Sequence, residues 1–288
     1  MKSRADIATG RTGKSPGGCH TGSPMGFQVG DLGASTAWLP PARRSGSGPI
    51  VACFAPAGAG AGFYRDWSRD LPDFRMMPVQ LPGREERFGE PVATDARAIA
   101  TAVADALAME GAGAPILLGY SFGALLAFET ARTIESRGGR VRGVVACARA
   151  APQMQARPSM ADRPDGPLLD YVRSLGGLPP EILTAPEFLS LLLPTLRADF
   201  WANDRYAATA EIHITAPIVA VVGEDDPATA DGRADGWADR TRHPRDTRRV
   251  PGGHFFVSQN RAAAFVAIGA ALAGLAEAPP IDRLETGS

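Results

Sequence analysis

The chain has 288 residues, with 30 basic and 31 acidic side chains and a formal net charge of −1. A chain this close to neutral carries no electrostatic footprint for nucleic acid or an anionic membrane. At 44% hydrophobic residues it can bury a sizeable core, and its length suits one large domain or two small ones.

Residues 1–35 hold many Gly, Ser and basic residues and few large apolar ones. Burial cannot offset the entropy of ordering such a segment, so a disordered extension is expected. It contains no apolar run of signal-peptide length, and Met25 competes with Met1 as the start. Pro40 to Pro49 is a second loose piece. Ile50 to Phe54 is the first strand and Met76 to Leu81 the second. Thr94 stands where it would N-cap a helix over Asp95 to Glu110, with Ile99, Val103 and Leu107 on one face. Ile116 to Tyr120 is a strand. Phe122 to Arg137 is a helix stopped by Gly138-Gly139, and Val141 to Ala148 is the next strand.

Between about 152 and 211 the pattern is helical with no good strand. Three short helices are expected: Pro164 to Leu175, Pro186 to Leu193 and Leu196 to Tyr206, separated by prolines. An all-helical insertion of this kind reads as a lid over a ligand pocket, the plainer alternative being a long crossover. Ile218 to Val222 is a strand. The charged run Arg240 to Arg249 is expected to be solvated. The last helix opens at Arg261, with Phe265, Ile268, Leu272 and Leu275 on one face. Residues 278–288 read as a disordered tail. Short apolar strands alternating with amphipathic helices predict an α/β domain over 36–277, a mostly parallel sheet covered on both faces.

Cys19, Cys53 and Cys147 are odd in number and widely spaced, so neither a disulfide framework nor a zinc site is expected. Cys53 and Cys147 lie in apolar runs and read as small buried hydrophobes. The longest apolar stretch, Ala262 to Ala276, is too short to span a bilayer. A reducing cytoplasm is the default location.

The sharpest chemical signal is Gly119-Tyr120-Ser121-Phe122-Gly123. It fits G-x-S-x-G between an apolar strand and a helix, the setting of a nucleophile elbow in the α/β-hydrolase fold. A turn this tight strains the serine backbone and lifts its hydroxyl to the tip of the sheet, where the helix N-terminus favours negative charge. A serine needs a base, and in this fold the partners follow in the order acid, then histidine. Of the four histidines, His20 lies in the loose N-terminus, His213 in a connector and His243 in the charged run. His254 follows Pro251-Gly252-Gly253 and precedes the last helix, which suits the base. The acid should end the preceding strand, at Glu224-Asp225-Asp226-Pro227. The spacing favours Asp226, with Asp225 as its rival. The oxyanion hole needs two backbone N–H groups. Phe122 supplies one, and Ala57, in the small-residue loop Ala55 to Gly62, the other. That loop is no dinucleotide fingerprint, because Phe63 stands where the third glycine belongs.

With these residues in place the chain resembles the type II thioesterases of polyketide synthase and nonribosomal peptide synthetase systems. Cys53-Phe54-Ala55-Pro56-Ala57-Gly58 resembles their F-P-x-A-G-G loop, and Leu81-Pro82-Gly83-Arg84-Glu85-Glu86-Arg87 their L-P-G-R-E-x-R segment. Leu196-Arg197-Ala198-Asp199-Phe200 with Tyr206 resembles their lid helix, and Gly253-His254-Phe255-Phe256 their histidine loop. The resemblance implies a Ser121, Asp226, His254 triad with Ala57 and Phe122 as oxyanion donors. It implies hydrolysis of acyl thioesters on the phosphopantetheine arm of acyl or peptidyl carrier proteins, removing stalled or wrongly primed groups. No cofactor or metal of its own is expected, and a monomer is. Two segments depart from the family: in the elbow, Tyr120 and Phe122 stand where His and Met are usual, and the oxyanion loop has Ala55-Pro56 for Pro-x and Ala59 for the second Gly. Arg84 and Arg87 are candidates for a basic rim facing an acidic carrier protein. A product-releasing thioesterase, a small-molecule carboxylesterase and a non-catalytic ligand-binding scaffold are the alternatives.

Overall fold

A computed structural model describes residues 35–154, 159–177, 185–207 and 212–278. The expected N-terminal extension, with Cys19 and His20, lies outside the described residues up to 34, and the expected tail does so from 279.

Six strands form one parallel sheet in the order β2-β1-β3-β4-β5-β6. They are β1 (Ile50–Phe54), β2 (Arg75–Pro78), β3 (Ile116–Tyr120), β4 (Gly143–Cys147), β5 (Ile218–Gly223) and β6 (Arg248–Val250). Among the described residues the α-helices are α1 (Ser35–Trp38), α2 (Trp67–Asp70), α3 (Ala96–Met109), α4 (Phe122–Ser136), α5 (Asp165–Ser174), α6 (Pro186–Asp204), α7 (Phe256–Gln259) and α8 (Arg261–Glu277).

The central strands are apolar on both sides because both sides are covered. Ala52, Phe54, Leu117, Val144, Ala146 and Ala220 pack toward α3 and α4, with Ile99, Val103, Leu107 and Phe128. Their sequence neighbours Val51, Cys53, Leu118, Tyr120, Val145, Cys147 and Val221 point the other way, onto Trp67 and the α8 face of Phe265, Ile268, Leu272 and Leu275. The period-two alternation within each strand thus feeds two separate cores. Burial pushes the Cys53 and Cys147 thiols well above their usual range, so both are inert packing groups, as expected.

Three local expectations are corrected. Asp95, not Thr94, caps α3: it is extended, and its Oδ1 accepts the N–H groups of Arg97 and Ala98 at 2.8 and 3.1 Å. A carboxylate there also faces the positive end of the helix dipole. The two helices expected on either side of Pro194 are one, α6. Proline removes the N–H that would have met the Ser190 carbonyl, but both residues are exposed, so water can solvate that oxygen. Tertiary packing does the rest: Leu196 and Phe200 bury against Leu168 and Val172 of α5. Finally, the charged run hides the edge strand β6. Only Val250 of it is buried, and Arg248 and Arg249 stay half-exposed or exposed while bonding to the Ala267 carbonyl and to Asp235. Charged, short edge strands resist pairing with other chains.

Among the described residues of the predicted lid there is no strand. Its described residues include a 3-10 turn (Pro152–Met154), α5 and α6. No helix of the described residues is long and apolar enough to cross a membrane.

Candidate active site

A parallel sheet brings the carboxyl ends of all its strands to one edge, and ligands bind in the crevice where the strand order reverses. Here that crevice lies between β1 and β3, since the chain runs outward to β2 and returns past β1 to β3. The loop after β1 carries Ala57, and the turn after β3 carries Ser121. The loops after β5 and β6 carry Asp226 and His254.

Ser121 sits directly between β3 and α4 with φ 53° and ψ −115°, outside the favoured regions for a residue with a side chain. Such a conformation costs about 1–3 kcal/mol and survives only where the surroundings impose it. They do. The Ser121 N–H donates to the Cys147 carbonyl at 2.8 Å, and the Ser121 carbonyl accepts from Ala124 at 3.0 Å. Both flanking glycines are sterically required. A Cβ on Gly123 would lie 2.7 Å from the Ala55 carbonyl oxygen and closer still to that of Phe54. One on Gly119 would collide with the Gly123 carbonyl.

The structure brings the three predicted side chains into one line. His254 Nε2 lies 3.0 Å from Ser121 Oγ, and His254 Nδ1 lies 2.9 Å from Asp226 Oδ2. His254 and Asp226 are buried. The other Asp226 oxygen accepts the Ala228 N–H at 2.8 Å. Its rival Asp225 and the neighbouring Glu224 are exposed, so burial and hydrogen bonding separate the three acids where spacing alone did not. Among the other histidines, His213 is exposed and His243 sits in a bend, its N–H on Thr241 Oγ1.

Ala57, Ser121 and Phe122 all line one small cavity. Phe122 is the first residue of α4, so its N–H has no acceptor one turn back. Its ring packs in the α3–α4 core while bordering the cavity. Tyr120 faces the opposite core, and its hydroxyl donates to the His254 carbonyl at 2.6 Å.

Arg84 and Arg87 form no rim; both are buried. Arg84 makes a two-pronged pair with Asp199 of α6, with Nη1–Oδ2 at 2.6 Å and Nη2–Oδ1 at 2.9 Å. Arg87 pairs with Glu90, donates to the Gln80 carbonyl and lies over the Trp38 ring. Desolvated guanidinium groups with so many acceptors brace loops rather than face a partner.

Sequence reasoning missed Arg149. It is buried beside the cavity, donating to Asn203 Oδ1 at 2.8 Å and lying 3.4 Å from the Ser121 carbonyl. Its signal was a lone arginine in the small apolar run Cys147-Ala148-Arg149-Ala150-Ala151. Among the described residues no cluster of three or more His, Cys, Asp or Glu could hold a metal ion.

Residues 49–271 match the model of the thioesterase domain family. The chain belongs to that family. The chain is 33% identical over 211 residues to a probable cadicidin biosynthesis thioesterase of Streptomyces griseus, a match covering 73% of this chain and 58% of that protein. The chain thus spans little more than half of that relative's length. Its fold is similar to the type II thioesterase BorB from the borrelidin biosynthetic cluster. The TM-score is 0.74 at 28% identity, covering 84% of this chain and 98% of that one. It is similar also to YbtT, a type II thioesterase from the yersiniabactin pathway. There the TM-score is 0.72 at 26% identity, with 80% and 95% covered. The resemblance read from the motifs is borne out, as is the α/β-hydrolase fold.

Proposed function

We propose that this thioesterase is a serine hydrolase that frees acyl groups from the phosphopantetheine arm of acyl or peptidyl carrier proteins. Its task is to edit stalled or wrongly primed carriers in polyketide or nonribosomal peptide assembly. One observation carries the reading: the hydrogen-bonded line Ser121–His254–Asp226, held in a strained elbow beside a cavity that two candidate oxyanion donors share.

The chemistry follows from those positions. His254 Nε2 takes the Ser121 hydroxyl proton as Oγ attacks the thioester carbonyl carbon. The carbonyl electron pair moves onto oxygen, and the Ala57 and Phe122 N–H groups stabilise that oxyanion. Collapse breaks the C–S bond, and His254 returns the proton to the departing pantetheine sulfur. A thiol with a pKa of about 8.5 leaves more readily than an alcohol, which suits the site to thioesters. Water, deprotonated by His254, then attacks the acyl-serine ester, releasing the acid and restoring Ser121. Asp226 accepts a hydrogen bond from Nδ1–H throughout, fixing the tautomer and stabilising the imidazolium.

The cavity beside Ser121 is small and closely walled by Tyr171, Leu175 and Phe200, which favours short acyl groups over a full-length product. The test is hydrolysis of carrier proteins loaded with acyl chains of graded length, followed by intact-protein mass spectrometry. Short chains should be released fastest, and Ser121→Ala should abolish release while the fold remains. A wild-type protein that cleaves p-nitrophenyl esters but no carrier-bound thioester would sink the carrier reading. Unchanged release by Ser121→Ala would sink the serine mechanism.

A further inference from the structure

Two of the buried polar side chains of α6, Asp199 and Asn203, lie one turn apart, and each reaches a loop of the site. Asn203 accepts from Arg149, as described above. Asp199 is fully buried, and its Oδ2 accepts the Gly58 N–H at 2.8 Å. Arg84, which holds both Asp199 oxygens, also donates to the Ala59 carbonyl at 3.1 Å. A carboxylate and a guanidinium are costly to bury, and breaking such a pair leaves an uncompensated charge. The proton-transfer line through His254 makes no use of either group.

The loop they grip is a β-turn. Ala59 N–H closes it on the Pro56 carbonyl at 3.0 Å, and Gly58, at its third position, has φ +77°. That is the mark of a type II turn. Types I and II differ by a flip of the central peptide, here the one joining Ala57 to Gly58. The Gly58 N–H bonded to Asp199 is half of that peptide. A flip would swing the Ala57 carbonyl, an acceptor, to the side that the N–H now faces, and would change ψ of Ala57. The Ala57 N–H, on the adjacent peptide, is the donor assigned to the oxyanion.

We propose that Asp199 is a positioning residue for the oxyanion hole. It locks the central peptide of the Pro56–Ala59 turn from the lid side, so that the Ala57 N–H stays aimed at the reacting carbonyl. Arg84 neutralises it, so no net negative charge stands beside the developing oxyanion. The part of α6 beyond Pro194 is then a fixed wall of the reaction chamber. This rests on the reading of Ala57 as an oxyanion donor.

The test compares Arg84→Met/Asp199→Asn with Arg84→Met/Asp199→Leu. Both remove the buried charges together, so neither strands a lone ion. The asparagine keeps an acceptor for the Gly58 N–H, and the similarly sized leucine does not. Each is assayed on a short acyl-carrier thioester. Each is also titrated with a trifluoromethyl ketone, whose serine adduct puts an oxyanion in the hole. The leucine variant should show a kcat about tenfold or more below the asparagine variant, with KM within about threefold, as expected for a weakened oxyanion hole. Ketone affinity should fall by the same factor as kcat/KM. Equal kcat in the two variants overturns the proposal. So does a rise in KM alone, which would mark a wall that only binds substrate. Where the leucine variant does not fold, Arg84→Met/Asp199→Ala takes its place under the same criteria. A wild-type turnover lost in Ser121→Ala keeps the serine mechanism standing whichever way this pair falls.

Discussion

The Tyr120 hydroxyl donates a hydrogen bond to the His254 carbonyl oxygen at 2.6 Å, deep in the core. Tyr120 is the residue before the proposed nucleophile, and His254 carries the proposed base. The two ends of the Ser121–His254 hydrogen bond are therefore tied a second time, through backbone. The ring also stacks on Phe255, with centroids 5.8 Å apart and planes at 21°. Tyr120→Phe keeps that packing and leaves the His254 carbonyl buried without this donor. The expected loss is about 1–3 kcal/mol of stability, read from urea unfolding. A looser imidazole should also cut kcat about tenfold with KM unchanged. Wild-type kcat in this variant would show that the ring alone sets the histidine loop.

The acid loop offers a sharper separation. Asp226 is buried against His254, while Asp225 is exposed. Under the proposed mechanism Asp226→Asn leaves the geometry in place but admits the wrong imidazole tautomer, and kcat should drop by about 10³–10⁴. Asp225→Asn should stay within about twofold of wild type, as exposed substitutions do. A collapse of activity in Asp225→Asn instead would reassign the acid.

What the sequence made legible follows from how local each signal is. The elbow is written within five residues, because one tight turn dictates its glycines and its serine. The central strands show as apolar runs because both of their faces are buried. The order serine, acid, histidine follows from the fold's strand order. What stayed hidden needed contacts between distant parts of the chain. Arg84 reads as a surface cation until Asp199, 115 positions later, closes on it. Pro194 reads as a helix break until packing against α5 carries the helix through. β6 has three residues and one buried side chain, too little for any periodicity to show. Asp225 and Asp226 are adjacent and chemically alike; spacing only leans toward Asp226, and burial with the His254 hydrogen bond decides between them.

Two buried phenols give the protein an alkaline limit. Burial raises Tyr64 and Tyr120 well above the usual value of 10.0. Above that value the unfolded chain has lost these protons and the folded chain still holds them. The folded state then binds more protons, so stability falls as pH rises. Their contribution is fully present below pH 10 and is lost above it. The urea midpoint should hold level up to about pH 10 and then decline, less steeply in Tyr120→Phe. A level midpoint to pH 11 in the wild type would contradict this.

Glycine substitutions should divide by what a methyl group meets. In Gly123→Ala the new Cβ would press on the Phe54 and Ala55 carbonyls at the end of β1. Those groups are backbone and cannot swing aside. Either β1 moves off α4 or the elbow shifts, and both separate Ala57 from Ser121. Gly119→Ala drives its Cβ into the Gly123 carbonyl, with the same consequence. Each should cost more than the usual overpacking penalty of about 1–3 kcal/mol and should lose activity in whatever fraction stays folded. Gly274 is the control. It is exposed inside α8, and nothing lies within 4 Å of an added Cβ. Gly274→Ala should therefore stabilise the helix by about 0.5–1 kcal/mol and leave kcat unchanged. Thermal unfolding of the three variants, with activity measured alongside, checks the division. A Gly123→Ala protein as stable and active as wild type would mean that the elbow is not held against β1.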